Sequence, residues 1–191
     1  PPRGLPETPP PLRDCAVLVI DAQKEYTEGA LPLDGIDASV RALAEALARA
    51  RAEGVPVIHI VHISPPGSAI MDPQGQYGDI MDALKPAPGE TVVQKRFPSS
   101  FTQTTLAEAL EATGRKDLIL TGYMTHMCVN STARDATERG YRCVIAADLT
   151  ASRDLPDGKG GVIPAETVKA VNLASLADRF AIVIASAGEI V

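Results

Sequence analysis

The chain has 191 residues, 45% of them hydrophobic, and a formal net charge of -6. That length supports one sizeable core, and the acidic balance, with no Lys/Arg-rich block, argues against a nucleic-acid partner. No apolar run approaches the roughly 20 residues that span a bilayer, and no basic segment followed by an apolar one marks a leader, so a soluble, cytoplasmic protein with no membrane partner is expected.

Residues 1–13, PPRGLPETPPPLR, hold too much proline for a helix or central strand and too little apolar surface to anchor themselves. A flexible arm is expected there, followed by one domain over 14–191. CAVLVI (15–20) reads as the first strand. Ile36, Val40, Leu43, Leu47 and Ala50 then recur at helical spacing, with Gly54 as the stop. VPVIHIVHI (55–63) and the brief TVVQ (91–94) read as strands on either side of a Gly/Pro-rich stretch, 65–90, longer than ordinary connections. A helix over 102–113, the strand DLILTG (117–122), a helix over 127–139, the strand RCVIAA (142–147), a helix over 165–178 opened by Pro164 and the strand FAIVIA (180–185) complete the pattern. Continuous Val/Ile/Leu runs without alternation fit strands covered on both faces, and alternating strands and helices imply a parallel sheet between helical layers. In such sheets the functional groups collect at the carboxyl ends of the strands.

Three reactive side chains fall at those ends: Asp21 after AVLVI, Lys95 after TVVQ and Cys128 just past LILTG. Singly, each has an ordinary reading as turn former, surface charge or buried filler. Together they supply a nucleophile, a cation to favour its thiolate and a carboxylate to take its proton. A thiol at a helix start beside Lys95 is expected to titrate below the ordinary cysteine value. The loop GYMTHMC also offers backbone N–H groups where an oxyanion develops. Three cysteines, Cys15, Cys128 and Cys143, are an odd count at scattered spacing, which fits reduced thiols, and neither C-x-x-C nor H-E-x-x-H occurs.

VIDAQKEY, KRFPSSF and TGYMTHMCVNSTARDA, in this order, resemble the three signature segments of the isochorismatase-like cysteine hydrolases, including C-V-x-x-T-A-x-D-A after the nucleophile. The resemblance spans about residues 15–185. It implies a three-layer α/β/α sandwich around a six-stranded, mostly parallel sheet, and a catalytic triad of Asp21, Lys95 and Cys128. It also implies a cis peptide at Tyr123–Met124, oxyanion donors on the N–H groups of Met124 and Cys128, and a homo-oligomer, dimer or tetramer. Nicotinamidases of the family carry a metal-binding Asp and several His after the second strand. Here only His59 and His62 stand nearby, so no metal and no cofactor are expected.

Gln23, Tyr26 and Phe101 occupy positions where the family lines its pocket, or else are plain packing. His62, at the end of the second strand, faces the site or serves as a rim histidine, and His59 reads as structural. His126 invites a Cys/His pair but, two residues from the thiol in a turn, need not point at it. Retention of Cys128 favours hydrolysis of an amide or ureido bond in a small molecule. Vinyl-ether hydrolysis with Asp21 as general acid, and a non-catalytic binding role, are the alternatives.

Overall fold

The structure, a computed structural model, describes residues 8–190. Parallel strands β1 (Cys15–Ile20), β2 (Val57–His62), β3 (Thr91–Lys95), β4 (Asp117–Tyr123) and β5 (Arg142–Ala146) form the sheet with the two-residue β6 (Thr150–Ala151) and the later β9 (Ile182–Ile184). An antiparallel pair, β7 (Leu155–Pro156) and β8 (Val162–Ile163), stands apart. The helices are α1 (Ile36–Ala52), α2 (Leu106–Thr113), α3 (Asn130–Glu138) and α4 (Ala165–Ala177). The order β3-β2-β1-β4-β5-β9 makes the expected six-stranded parallel sheet, and β6 adds a short seventh strand beside the end of β4.

Alternation along β1 explains the layers. Cys15, Val17 and Val19 face one side, against Leu43 and Leu47 of α1. Ala16, Leu18 and Ile20 face the other, against Leu106 and Leu110 of α2, Ala133 and Ala136 of α3, and Leu173 and Leu176 of α4. One helix with its adjoining loops therefore covers the first face, and three helices cover the second.

The strand order reverses between β1 and β4, and a crevice opens beyond the carboxyl ends of strands at such a reversal. Ile20 pairs with both Ile60 and Gly122, and His62 pairs with Lys95, so the ends of four strands lie side by side. Gly122 permits this closeness: its φ is +100°, and a Cβ there would sit 2.0 Å from the Ile20 carbonyl oxygen.

Two local expectations need correction. The helix expected over 127–139 begins only at Asn130; residues Thr125–Val129 form a wide π turn, with Val129 N–H donating to the Met124 carbonyl. Of the arm expected over 1–13, residues 1–7 lie outside the described residues, while Pro10 and Leu12 are buried, Leu12 in the α1-side core.

Candidate active site

β1 ends at Ile20, and Asp21 takes a left-handed φ of 49°, a conformation Asp tolerates better than most residues. Its N–H donates to the Ile60 carbonyl, fixing it between β1 and β2. Lys95 is the last residue of β3, and Cys128 sits in the π turn after β4. Lys95 Nζ lies 2.7 Å from Asp21 Oδ2 and 3.2 Å from Cys128 Sγ. The side chains of Asp21 and Lys95 are wholly buried and Cys128 is 5% exposed.

The signature residues around Asp21, Lys95 and Cys128 act as scaffolding. Ser99 Oγ donates to Asp135 Oδ2 at 2.6 Å, and Ser100 N–H donates to Thr132 Oγ1. These bonds tie the segment following Lys95 to the helix following Cys128. Thr125 Oγ1 donates to the Ala151 carbonyl, anchoring the turn to β6. The Tyr123–Met124 bond is cis, and the Met124 N–H meets no protein acceptor among the described residues.

Electrostatics in the site differ from the simple expectation for Cys128. Burial, reinforced by the Asp21 carboxylate, pushes its thiol up to about 12, against the opposing pull of Lys95. The thiol is therefore protonated at rest, because the expected exposed helix start is replaced by a dry turn facing a carboxylate. Burial disfavours the Lys95 ammonium, but Asp21 and Cys128 outweigh it and hold Lys95 above its ordinary value. Although Lys95 Nζ is close to Asp21, neither carboxylate oxygen takes a well-directed hydrogen bond among the described residues. Lone pairs on Asp21 are thus open to a proton.

Of the remaining predicted residues, Tyr26 reaches the site. It is buried edge-on to Tyr123, and burial, Asp21 and Cys128 together push its hydroxyl well above the ordinary value. His62 Nδ1 lies 3.2 Å from Lys95 Nζ. Gln23 is fully buried, and its amide is committed to backbone: Nε2 donates to the His62 and Gly78 carbonyls, and Oε1 accepts from His62 N–H. In this arrangement Gln23 clamps β1, β2 and the 65–90 segment together. Phe101 stacks on Tyr141 with ring centroids 5.8 Å apart, beneath Arg139, within the helical core. His126 bonds Ser152 through Nδ1, and no hydrogen bond joins it to Cys128 among the described residues. His59 is structural, 2.9 Å from Glu90 Oε2.

Two residues were not legible beforehand. The Phe97 carbonyl accepts from Lys95 Nζ at 3.2 Å. Arg153, just past β6, is close enough for its charge to act on Tyr26 and His126. No group of three or more His, Cys, Asp or Glu side chains forms a metal-ligand set among the described residues.

Residues 15–188 match the isochorismatase domain. The chain is 39% identical over 183 residues to a secreted isochorismatase effector of Verticillium dahliae, covering 96% of this chain and 94% of the relative. It is 32% identical to a ureidoacrylate amidohydrolase of Pseudomonas syringae, covering 78% and 77%. The crystal structure of an isochorismatase from Pseudomonas putida superposes with a TM-score of 0.91 at 42% identity, covering 97% and 94%.

Proposed function

The chain belongs to the isochorismatase family, and from that premise we propose that it is a metal-independent cysteine hydrolase cleaving a C–N bond of a small amide or ureide. The observation that carries this reading is the chain of contacts Asp21–Lys95–Cys128, with Lys95 Nζ at 2.7 and 3.2 Å from the two partners, all three buried at adjoining strand ends. The likeness to a ureidoacrylate amidohydrolase supports the same bond type.

A thiol at about 12 cannot ionise freely at pH 7. Five pH units correspond to about 7 kcal/mol, so proton transfer must accompany attack. Asp21 takes the Cys128 proton as the sulfur bonds to the carbonyl carbon, and Lys95 stabilises the charge passing between them. The carbonyl oxygen becomes an oxyanion held by the N–H groups of Met124 and Cys128. Collapse breaks the C–N bond, Asp21 returns the proton to the departing nitrogen, and a thioester remains on Cys128. Water, deprotonated by Asp21, attacks that thioester; the acid leaves and the thiol is regenerated.

Self-association of the 20.1 kDa chain is proposed on the family resemblance alone, and three free cysteines support a reducing compartment. Light scattering at the monomer mass would rule out the former. Ammonia release from acetamide, maleamate and ureidoacrylate tests the activity. The wild type should release ammonia from at least one and Cys128→Ala from none; equal release by both would overturn the reading.

A further inference from the structure

Beside its ion pair with Asp21 Oδ2 at 2.7 Å, Lys95 Nζ has three hydrogen-bond partners for its three hydrogens: Cys128 Sγ, the Phe97 carbonyl and His62 Nδ1. Lys95 is an ammonium, its charge favoured by the Asp21 carboxylate 2.7 Å away. An ammonium has no lone pair and can only donate. His62 Nδ1 must therefore carry a lone pair, and the ring proton must reside on Nε2.

The backbone around His62 is fixed as firmly as the ring. Gln23 grips both its N–H and its carbonyl, at 2.9 and 3.0 Å, in a closed hydrogen-bonded loop. Gln23 is itself fully buried and held by the Gly78 carbonyl at 2.7 Å. The charged groups acting on the ring are Lys95 and Arg96 from β3 and beyond it, and Asp21 from the end of β1. Burial and the Lys95 charge both hold His62 below its ordinary value, which keeps it neutral. Its side chain is only partly buried, and Nε2 meets no protein acceptor among the described residues.

We propose that His62 is a specificity-determining residue: Lys95 locks it as the neutral Nε2–H tautomer, which presents a hydrogen-bond donor to substrate beside the nucleophile. This rests on the hydrolase reading of the site and narrows its substrate class. The fitting substrate is an amide or ureide with a second acceptor oxygen, carbonyl or carboxylate, near the scissile bond. A substrate presenting an N–H or a cation at that position is rejected, because a locked donor cannot become an acceptor.

Nitrogen-detected NMR of protein labelled with ¹⁵N-histidine decides the tautomer without any substrate. At pH 7.5 His62 should show an unprotonated Nδ1 and a protonated Nε2, and Lys95→Met should release it to a mixture. A protonated Nδ1 in the wild type overturns the inference whether or not any amide is hydrolysed. For the amide turned over in the ammonia assay, His62→Asn, which keeps a polar atom near Nδ1 but loses the Nε2 donor, should raise KM on the order of tenfold with kcat little changed. His62→Gln, which restores a donor near Nε2, should recover most of that loss. An unchanged KM in His62→Asn also overturns the inference, while absence of turnover from every amide with the expected tautomer counts against the hydrolase reading alone.

Discussion

Replacing Lys95 by Met removes one partner of an ion pair whose two side chains are both 0% exposed and 2.7 Å apart. Breaking such a pair by deleting one charge costs about 3–5 kcal/mol, because the remaining ion is buried without compensation. For a chain of 191 residues, with about 2–4 °C in Tm per kcal/mol, this is a loss of roughly 6–20 °C. Scanning fluorimetry or calorimetry at pH 8 reads this loss. Adding Asp21→Asn should recover most of the lost Tm, since the double variant buries no charge. A single variant within about 2 °C of wild type at pH 8, or a double variant no better than the single, would refute the buried pair.

Cys15, Cys128 and Cys143 are each pushed up to about 12, chiefly by burial, so iodoacetamide should label all three slowly at pH 7, and the Cys128 rate should still be rising at pH 10. A plateau below pH 9, read by peptide mapping, would show an ordinary or activated thiol. Burial disfavours the Glu90 carboxylate, but Arg51, the Ala87 N–H and His59 outweigh it and hold Glu90 at about 2, against 4.5. That depression contributes about 3 kcal/mol, present above pH 4.5 and lost as pH falls toward 2. Urea titrations of Glu90→Gln should show this part of the acid dependence gone, and an unaltered acid limb would contradict it. Gly122→Ala should yield no folded protein by circular dichroism, because its Cβ would fall 2.0 Å from the Ile20 carbonyl oxygen; a cooperative wild-type-like melt would contradict the close approach of β1 and β4.

Asp21, Lys95 and Cys128 were legible as strand-end residues because uninterrupted apolar runs mark where parallel strands stop. Their convergence follows from the order β2-β1-β4. The SS and T-A-x-D segments were legible as signatures, but their work as Ser99–Asp135 and Ser100–Thr132 ties emerges only when the two elements pack. The packing of Gln23 and Phe101 was not legible, because a position near Asp21 or Lys95 in the chain does not say which way a side chain turns. The partners that decide Gln23, at His62 and Gly78, lie 39 and 55 residues away. The π turn was hidden because THMCV has the local composition of a helix start, whereas its width depends on anchoring to β6. β6 itself, two residues long, is too short to leave a periodic signal.

The central claim is that Cys128 carries the acyl group of the substrate. Wild-type enzyme mixed with the amide it turns over, quenched in acid within milliseconds and weighed intact, tests this directly. An added mass equal to the acyl group, mapped to the peptide containing Cys128 and absent from Cys128→Ala, is the predicted result; sustained ammonia release by Cys128→Ala, with no adduct on the wild-type enzyme, would contradict the account.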